Sequence, residues 1–585
     1  MRLHLYTDNQ YKYLMKRSIY LIAAFTIISC TENINSQKNE VSITALADTY
    51  FSRTIKTHPE YAYYADIPLK RHDQISSNYL NDIKLWGKFE DSLYTELIEI
   101  DESKLTSKKD KITYWFLKED LESSIAMRVC NRNLWNVDPE SGWQNLWLAI
   151  AQIQPVGTNE LRNQALARWH KLPEIIETEI KNLNEGISQG YTMPKEIVNL
   201  VIDQIQVLLE YNIDDSPFML PAKRDGDKDF YLKWKVLVSE KILPAIQNYH
   251  KFLKNDYLKI ARENVSILEQ PDGDKCYQAY IRKYTSSNKT GKEIFDLGQK
   301  IVSNNIKKIE ELGKELYKTA DFNEIIKNIN NDSLNYFNSS NEILETNEQL
   351  IIKARNESKN WFAKLPLSTV TIKPYESYEF GSGAYEASSG DKPAYFRINL
   401  KNPHEQQKGK NEVLTFHETY PGHHMQIGIE KEIEGLHPIV KLIGFTSYVE
   451  GWARYCEQLA EEMDLYESKS ALITRRAWPS RGMVVDPGIH IREWSKTQAI
   501  DYMVEGGMNK DVALDLYYRS ITMPAQLTSY DVGGEEIKAL RKLAEIKLGE
   551  NFDIKEFHTK VLENGAIPLS ALRIIIEDWI KTKIN

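Results

Sequence analysis

The stretch LTFHETYPGHHMQ, Leu414 to Gln426, holds three of the chain's twelve histidines. His417 followed by Glu418 opens the HExxH pattern, in which two histidines one helical turn apart bind zinc and the glutamate serves as general base. The second histidine of that pattern would be residue 421, and residue 421 is Pro. In an unbroken helix His417 and His423 would lie about 9 Å apart along the axis and about 120° apart around it. His424 would return to the face of His417, but about 10.5 Å further along. Zinc ligands all sit about 2 Å from the ion, so a straight helix excludes a site made from either pair. Pro421 argues against a straight helix in any case. It has no N–H for the carbonyl of His417, its ring clashes there, and it disfavours helix at Tyr420. Gly422 permits backbone angles that other residues avoid. The Pro-Gly pair therefore predicts a distortion that brings the next histidine back beside the first.

A carboxylate would complete such a site. FTSYVEGWARYCEQLAEEM follows some 25 residues later and reads as a helix with Glu450 and Glu457 on one face, seven residues apart. Helix, turn and second helix with an inward Glu is an arrangement that yields a His-His-Glu zinc site. A solvated helix carboxylate is the plain alternative for Glu450. The Gly-Trp-Ala that follows it is poor surface material and favours an inward orientation.

The elements that must position these residues are mostly helical. From 43 to 365 apolar residues recur at three- and four-residue spacing, as in QNLWLAIAQI, IVNLVIDQIQVLLEY and FYLKWKVLVSEKILPAIQNYHKFL. Breaks fall at IDDSPFMLP, EQPDGDK and TSSNKTGKE. NINNDSLNYFNSSNEI reads as a surface loop with a short helical turn. At 366 the texture changes: STVTIKPYESYEF and AYFRINL read as two short strands or a hairpin, separated by the Gly/Ser-rich GSGAYEASSGDKP. Helical pattern then resumes to the C-terminus. The expected fold is mostly α with a small β-sheet beside the histidine cluster. A helical N-terminal region (43–365) and a site-bearing region (366–585) pack as one two-lobed unit.

Composition narrows the function. The chain has 585 residues, 42% apolar and 27% charged, with a net charge of −9 and no basic face, so nucleic-acid binding is not expected. The 33 Tyr and 12 Trp suit aromatic-lined grooves and helix packing equally. Met15-Lys16-Arg17, the apolar SIYLIAAFTIIS and Cys30 read as a lipoprotein leader over residues 1–30, with Met15 as the true start. Lipid on Cys30 and a polar tether over 31–42 would be the chain's only attachment to a membrane. The expected location is the bacterial cell envelope, anchored to the outer membrane and otherwise periplasmic. Cys130, Cys276 and Cys456 are far apart, without CxxC, and are expected as buried apolar fillers rather than a disulfide framework.

HETYPGHHMQ, YVEGWARYCEQLAEE, RGMVVDPGIHIREWSKTQAIDYM and MPAQLTSYDVGGEEIKALR, in that order, resemble the blocks of the bacterial domain-of-unknown-function family 885 (DUF885). That family is itself similar to the gluzincin metallopeptidases, a mostly helical group that includes oligopeptidases and carboxypeptidase Taq. The resemblance is close over residues 374–545. His417, Glu418, Pro421, Gly422, His423 and Gln426 match the family motif HExxPGHxxQ. One departure is Pro524-Ala525-Gln526, where the family commonly has Pro-Gly-Gln.

The resemblance implies a large multi-helix channel architecture and one Zn2+ held by His417, His423 and Glu450, with the fourth position left to water. His424 is the alternative second ligand. Glu418 would take the proton from that water and pass it to the leaving amine. His490 or Tyr530 would steady the oxyanion. Gln426, Glu457 and Asp486 would orient ligand imidazoles. AYFRINL would be an edge strand that pairs with an extended peptide, and Arg481 and Arg519 would clamp a substrate carboxylate. The expected function is a lipid-anchored zinc metallopeptidase for short peptides. The alternatives are hydrolysis of a non-peptide amide conjugate and metal or peptide capture without turnover. Oligomeric state is left open.

Overall fold

The apolar spacing of the sequence becomes helix over most of the chain, with 71% of the described residues helical. The computed structural model describes residues 42–375, 382–388 and 392–584. The expected leader with Cys30, and the tether as far as residue 41, lie outside them.

The helices used below are α1 (Ile43–Thr57), α2 (Leu80–Ile98), α3 (Lys108–Met127), α4 (Gly273–Thr285), α5 (Gly291–Leu316) and α6 (Ser340–Trp361). Three strands follow, β1 (Val370–Pro374), β2 (Gly383–Glu386) and β3 (Ala394–Ile398). After them come α7 (Lys408–Glu418), α8 (His423–Lys431), α9 (Thr446–Glu462), α10 (Gly482–Ile491) and α11 (Ser529–Leu548). Local chemistry starts many of these helices. Ser42, Ser107 and Ser339 side chains accept orphan N–H groups at the starts of α1, α3 and α6, and Thr290 with Glu293 forms a reciprocal capping box on α5. The FYLKWKVLVSEKILPAIQNYHKFL stretch stays helical through Pro244 by widening one turn over Val238–Ile242, just where the proline cannot donate to its preceding turn.

Residues 41–585 form one unit, and its buried core runs from Ile43 to Ile580 through both expected regions. Two expectations change here. Cys130 and Cys276 are joined in a disulfide across 146 residues, with Cα atoms 4.8 Å apart, and among the described residues only Cys456 is a free buried thiol. Such a separation leaves no sequence signal, because chain folding alone brings the end of α3 to α4.

The second change is in the sheet. It has three strands in the order β1-β3-β2, with β1 parallel and β2 antiparallel to β3, so no β1–β3 hairpin exists. AYFRINL supplies the central strand rather than an edge. The edge beside the site is β2, which lies inside the Gly/Ser-rich segment read as separating the two strands. Asn335, inside the expected surface loop, is buried, and its Oδ1 accepts from the Gly409 N–H at 3.2 Å and the Ser470 hydroxyl at 2.7 Å, pinning the start of α7.

Candidate metal centre

Helix α7 is held in rotation by a buried amide pair. Asn347 of α6 and Asn411 of α7 exchange hydrogen bonds of 3.2 and 3.1 Å, which sets the α7 face carrying His417. The helix stops at Glu418. Residues 419–422 then turn the chain, with the Tyr420–Pro421 peptide cis and the Gly422 N–H donating to the Phe416 carbonyl at 3.1 Å. The freed carbonyls of the turn are satisfied from α9. Trp452 Nε1 donates to Pro421 O at 3.0 Å and Gly422 O at 3.2 Å, and the Cys456 thiol donates to Pro421 O at 3.2 Å. Glycine is required in this turn, because a Cβ at residue 422 would lie 1.9 Å from the His417 carbonyl oxygen.

A new helix, α8, starts directly at His423. The two imidazoles now face each other, with ring centroids 4.8 Å apart and planes at 89°. Both present Nε2 to Glu450 of α9, each 3.4 Å from its Oε2. The three ligand-capable atoms lie within 4.8 Å of one another. Glu450 Oε2 is buried, yet among the described residues it has no hydrogen-bond donor. Ligand atoms 2.0–2.1 Å from a tetrahedral zinc are about 3.3 Å apart, so this spacing and the N,N,O donor set fit that ion.

Electrostatics favour a cation at this point. Burial alone would raise the Glu450 carboxyl, but the two facing imidazoles outweigh it and hold it well below the usual carboxylate range. Burial would likewise lower His417, yet Glu450 and Glu457 raise it to about 10, a proton that a bound metal must displace. His417 Nδ1 lies 2.9 Å from Glu457 Oε1, and Arg454 grips both Glu457 oxygens at 2.7 and 2.9 Å. This carboxylate fixes the imidazole so that Nε2 points at the cluster. Glu457→Gln is expected to weaken metal affinity by about 10- to 100-fold with the fold intact, measured by competition with a chromophoric chelator.

Glu418 is 8% exposed, lies near the Tyr385 backbone N–H of β2, and is raised by burial above its ordinary range. Tyr530 of α11 stacks against His417 at 6.5 Å between centroids, and its hydroxyl lies beside the Gln526 amide. Burial and the Glu450 charge push that phenol up. Helices α9 and α11 approach to backbone contact, since a Cβ on Gly451 would meet the Gly533 carbonyl carbon at 2.5 Å. That approach brings Tyr530 and Asp531 against the α9 face bearing Glu450 and Arg454. A cavity of about 670 Å³ opens onto His417, Arg454 and Glu457.

Other residues named from the sequence are engaged elsewhere. His424 turns to the sheet side, where Nδ1 meets the Tyr385 hydroxyl at 3.1 Å and Nε2 meets Ser368 O and the Tyr420 hydroxyl. It has no nitrogen left for a metal, and burial lowers it to about 4. The Gln426 amide donates to Glu430 at 2.6 Å rather than serving an imidazole, and His423 Nδ1 has no partner. His490 is buried with Nε2 at 2.8 Å from Ser520 O and Nδ1 receiving the Ile267 N–H, which leaves Tyr530 as the oxyanion donor candidate. Arg481 is buried, spends its guanidinium on the carbonyls of Ala477 and Tyr502, and lies over the Tyr502 ring. Arg519 pairs with Glu140 at 3.3 Å.

Asp486 accepts from the Tyr277 hydroxyl and the Ala525 N–H, not from an imidazole. It thereby holds the 524–526 turn, in which Ala525 has φ +67°. Glycine is the residue suited to that angle, so Ala525→Gly is expected to stabilise the protein by about 1 kcal/mol in chemical denaturation. Sequence reasoning missed Arg454, Asp531, Trp452 and the β2 edge. Only Arg454 left a signal, lying three residues before Glu457 and four after Glu450.

Residues 59–576 match the family described as "Bacterial protein of unknown function (DUF885)". No curated protein matches the sequence. Among solved structures, one described as "the putative lipoprotein from Colwellia psychrerythraea" is 22% identical with a TM-score of 0.84, over 93% of this chain and 100% of its own. Another, "a putative lipoprotein of unknown function from Shewanella oneidensis", is 18% identical with a TM-score of 0.75, over 92% and 100%. These likenesses show a shared fold.

Proposed function

The chain belongs to the bacterial family DUF885, and from that premise we propose that it is a zinc-dependent hydrolase of short peptides with a gluzincin-like site. The observation that carries the reading is the buried Glu450 oxygen without a donor, 3.4 Å from two imidazole nitrogens, with Glu418 next in sequence to one of them. His417, His423 and Glu450 would hold the ion, which supplies Lewis acidity toward a water and a carbonyl oxygen. Glu418, buried and raised, takes a proton from the attacking water at a carboxylate oxygen and returns it to the leaving amine. The Tyr530 hydroxyl donates to the oxyanion that forms on the substrate carbonyl. Glu457 and Arg454 keep His417 oriented throughout. The β2 edge, whose Tyr385 N–H lies near Glu418, is suited to align an extended peptide by strand addition.

Envelope association is supported by the lipoprotein descriptions of both structural neighbours and by the Cys30 leader pattern. Among the described residues, no helix is long and apolar enough to cross a membrane. The test is elemental analysis of the purified chain, followed by mass-spectrometric cleavage of a mixed peptide library with and without chelator. One equivalent of zinc and chelator-sensitive cleavage are expected. Zinc without cleavage turns the reading toward amide conjugates or capture, and absence of zinc ends it.

A further inference from the structure

A second cavity, of about 370 Å³, lies between α1, α2, α3, the end of α4 and the segment Leu442–Thr446 that leads into α9. Its aromatic wall is continuous. Tyr61 stacks on His58 at 5.3 Å, His58 meets Trp86 edge-on at 5.0 Å, and Trp86 lies 6.0 Å from Tyr50.

Three carboxylates line this space, and two are neutralised by arginines. Glu90 is held by Arg128 at 2.7 Å, with Trp86 Nε1 and the Ser124 hydroxyl also donating to it. Glu119 is held by Arg282 at 3.0 Å. Asp120 differs: its hydrogen-bond donor is the neutral Tyr50 hydroxyl, and among the described residues no cation comes within 4.0 Å. Burial raises its carboxyl to about 6, against the Tyr50 hydrogen bond and the Lys283 charge, which lower it. Lys283 also lines the cavity: its side chain keeps solvent access, but the surrounding protein lowers its ammonium while the Asp120 charge raises it, and among the described residues no carboxylate lies within 4.0 Å. Its ammonium is 5.8 Å from the Tyr284 ring centroid. The Thr54 hydroxyl, on a residue 4% exposed, lines the same space and has no hydrogen-bond partner among the described residues.

An acid and an amine that act on each other across a cavity without a contact within 4.0 Å, beside a hydroxyl that lacks a partner among the described residues, complement a ligand that carries both charges and can bridge them. We propose that this cavity binds a free α-amino acid with an apolar or aromatic side chain. The ligand's ammonium meets Asp120, its carboxylate meets Lys283, Thr54 supplies a further hydrogen bond, and the side chain lies against the Tyr50–Trp86 wall. The volume is at the small end of the range for ligand cavities, as a single residue requires. A neutral sugar would use the rings and carboxylates but leave Lys283 without a task. The inference stands apart from the metal reading.

The test is isothermal titration calorimetry of the full chain at pH 7.5, in chelator so that the His-His-Glu cluster cannot contribute. L-phenylalanine is compared with phenethylamine, which lacks the carboxylate, and hydrocinnamate, which lacks the ammonium. Phenylalanine is expected to bind, with each half-ligand at least about tenfold weaker. Asp120→Asn and Lys283→Met should each weaken phenylalanine by at least about tenfold at an unchanged melting temperature. The proposal is overturned if phenethylamine matches phenylalanine, if Lys283→Met has no effect, or if phenylalanine fails to bind at about 10 mM. Should Asp120→Asn disturb folding, Lys283→Met, whose side chain is exposed in the cavity, decides the matter with the half-ligands.

Discussion

Glu418→Gln is expected to keep the fold and the metal and to lose peptide hydrolysis by about a hundred- to ten-thousandfold. The substitution preserves volume and an oxygen facing the Tyr385 N–H, while removing the proton acceptor. Glu418 is not one of the three clustered ligands, so metal content should not change. The check is kcat/KM on the best library peptide together with zinc stoichiometry for both proteins. A variant that retains zinc and cleaves at the wild-type rate would remove Glu418 from the mechanism. A variant that loses zinc would instead show that Glu418 supports the metal site. The expected pattern separates proton transfer from metal binding, which deletion of His417 could not do.

Gly422→Ala is expected to abolish tight metal binding and to cost stability, by about 1–3 kcal/mol or more. The added methyl would lie 1.9 Å from His417 O and 2.4 Å from Phe416 O. Both are backbone atoms at the end of α7, so relief requires the turn itself to move. The same turn is clamped from α9 by Trp452 and Cys456, and its movement would carry His423 away from His417 and Glu450. Zinc stoichiometry and thermal unfolding measure the two effects. Retention of one tightly bound zinc in a normally folded variant would show that the turn is not what unites the histidines.

These two predictions concern neighbouring residues that were legible for different reasons. The break between His417 and His423 follows from covalent chemistry: proline lacks an N–H, and glycine alone fits a close backbone approach. Such rules act within a few residues and survive any tertiary context. The inward face of α9 was legible because the seven-residue spacing of Glu450 and Glu457 obeys the helical period. Helices over most of the chain were legible for the same reason. The third strand was not, because the Gly/Ser-rich composition around β2 opposes a strand and only pairing with β3 makes one.

By itself, the sequence determined the helical class and the broken turn at Pro421-Gly422, and its resemblance to the family put forward His417 and Glu450 with either His423 or His424. Tertiary structure alone decided which of the remaining candidates serve the cluster. Glu457 reaches His417, whereas His490, Arg481 and Asp486 spend their polar atoms on carbonyls, hydroxyls and N–H groups from distant segments. It also decided the Cys130–Cys276 bond, the β2 edge and the backbone contact of Gly451 with Gly533. The physical reason is common to all of these. A buried polar group must find a partner, and that partner is chosen by packing between elements far apart in the chain, where no local periodicity records the choice.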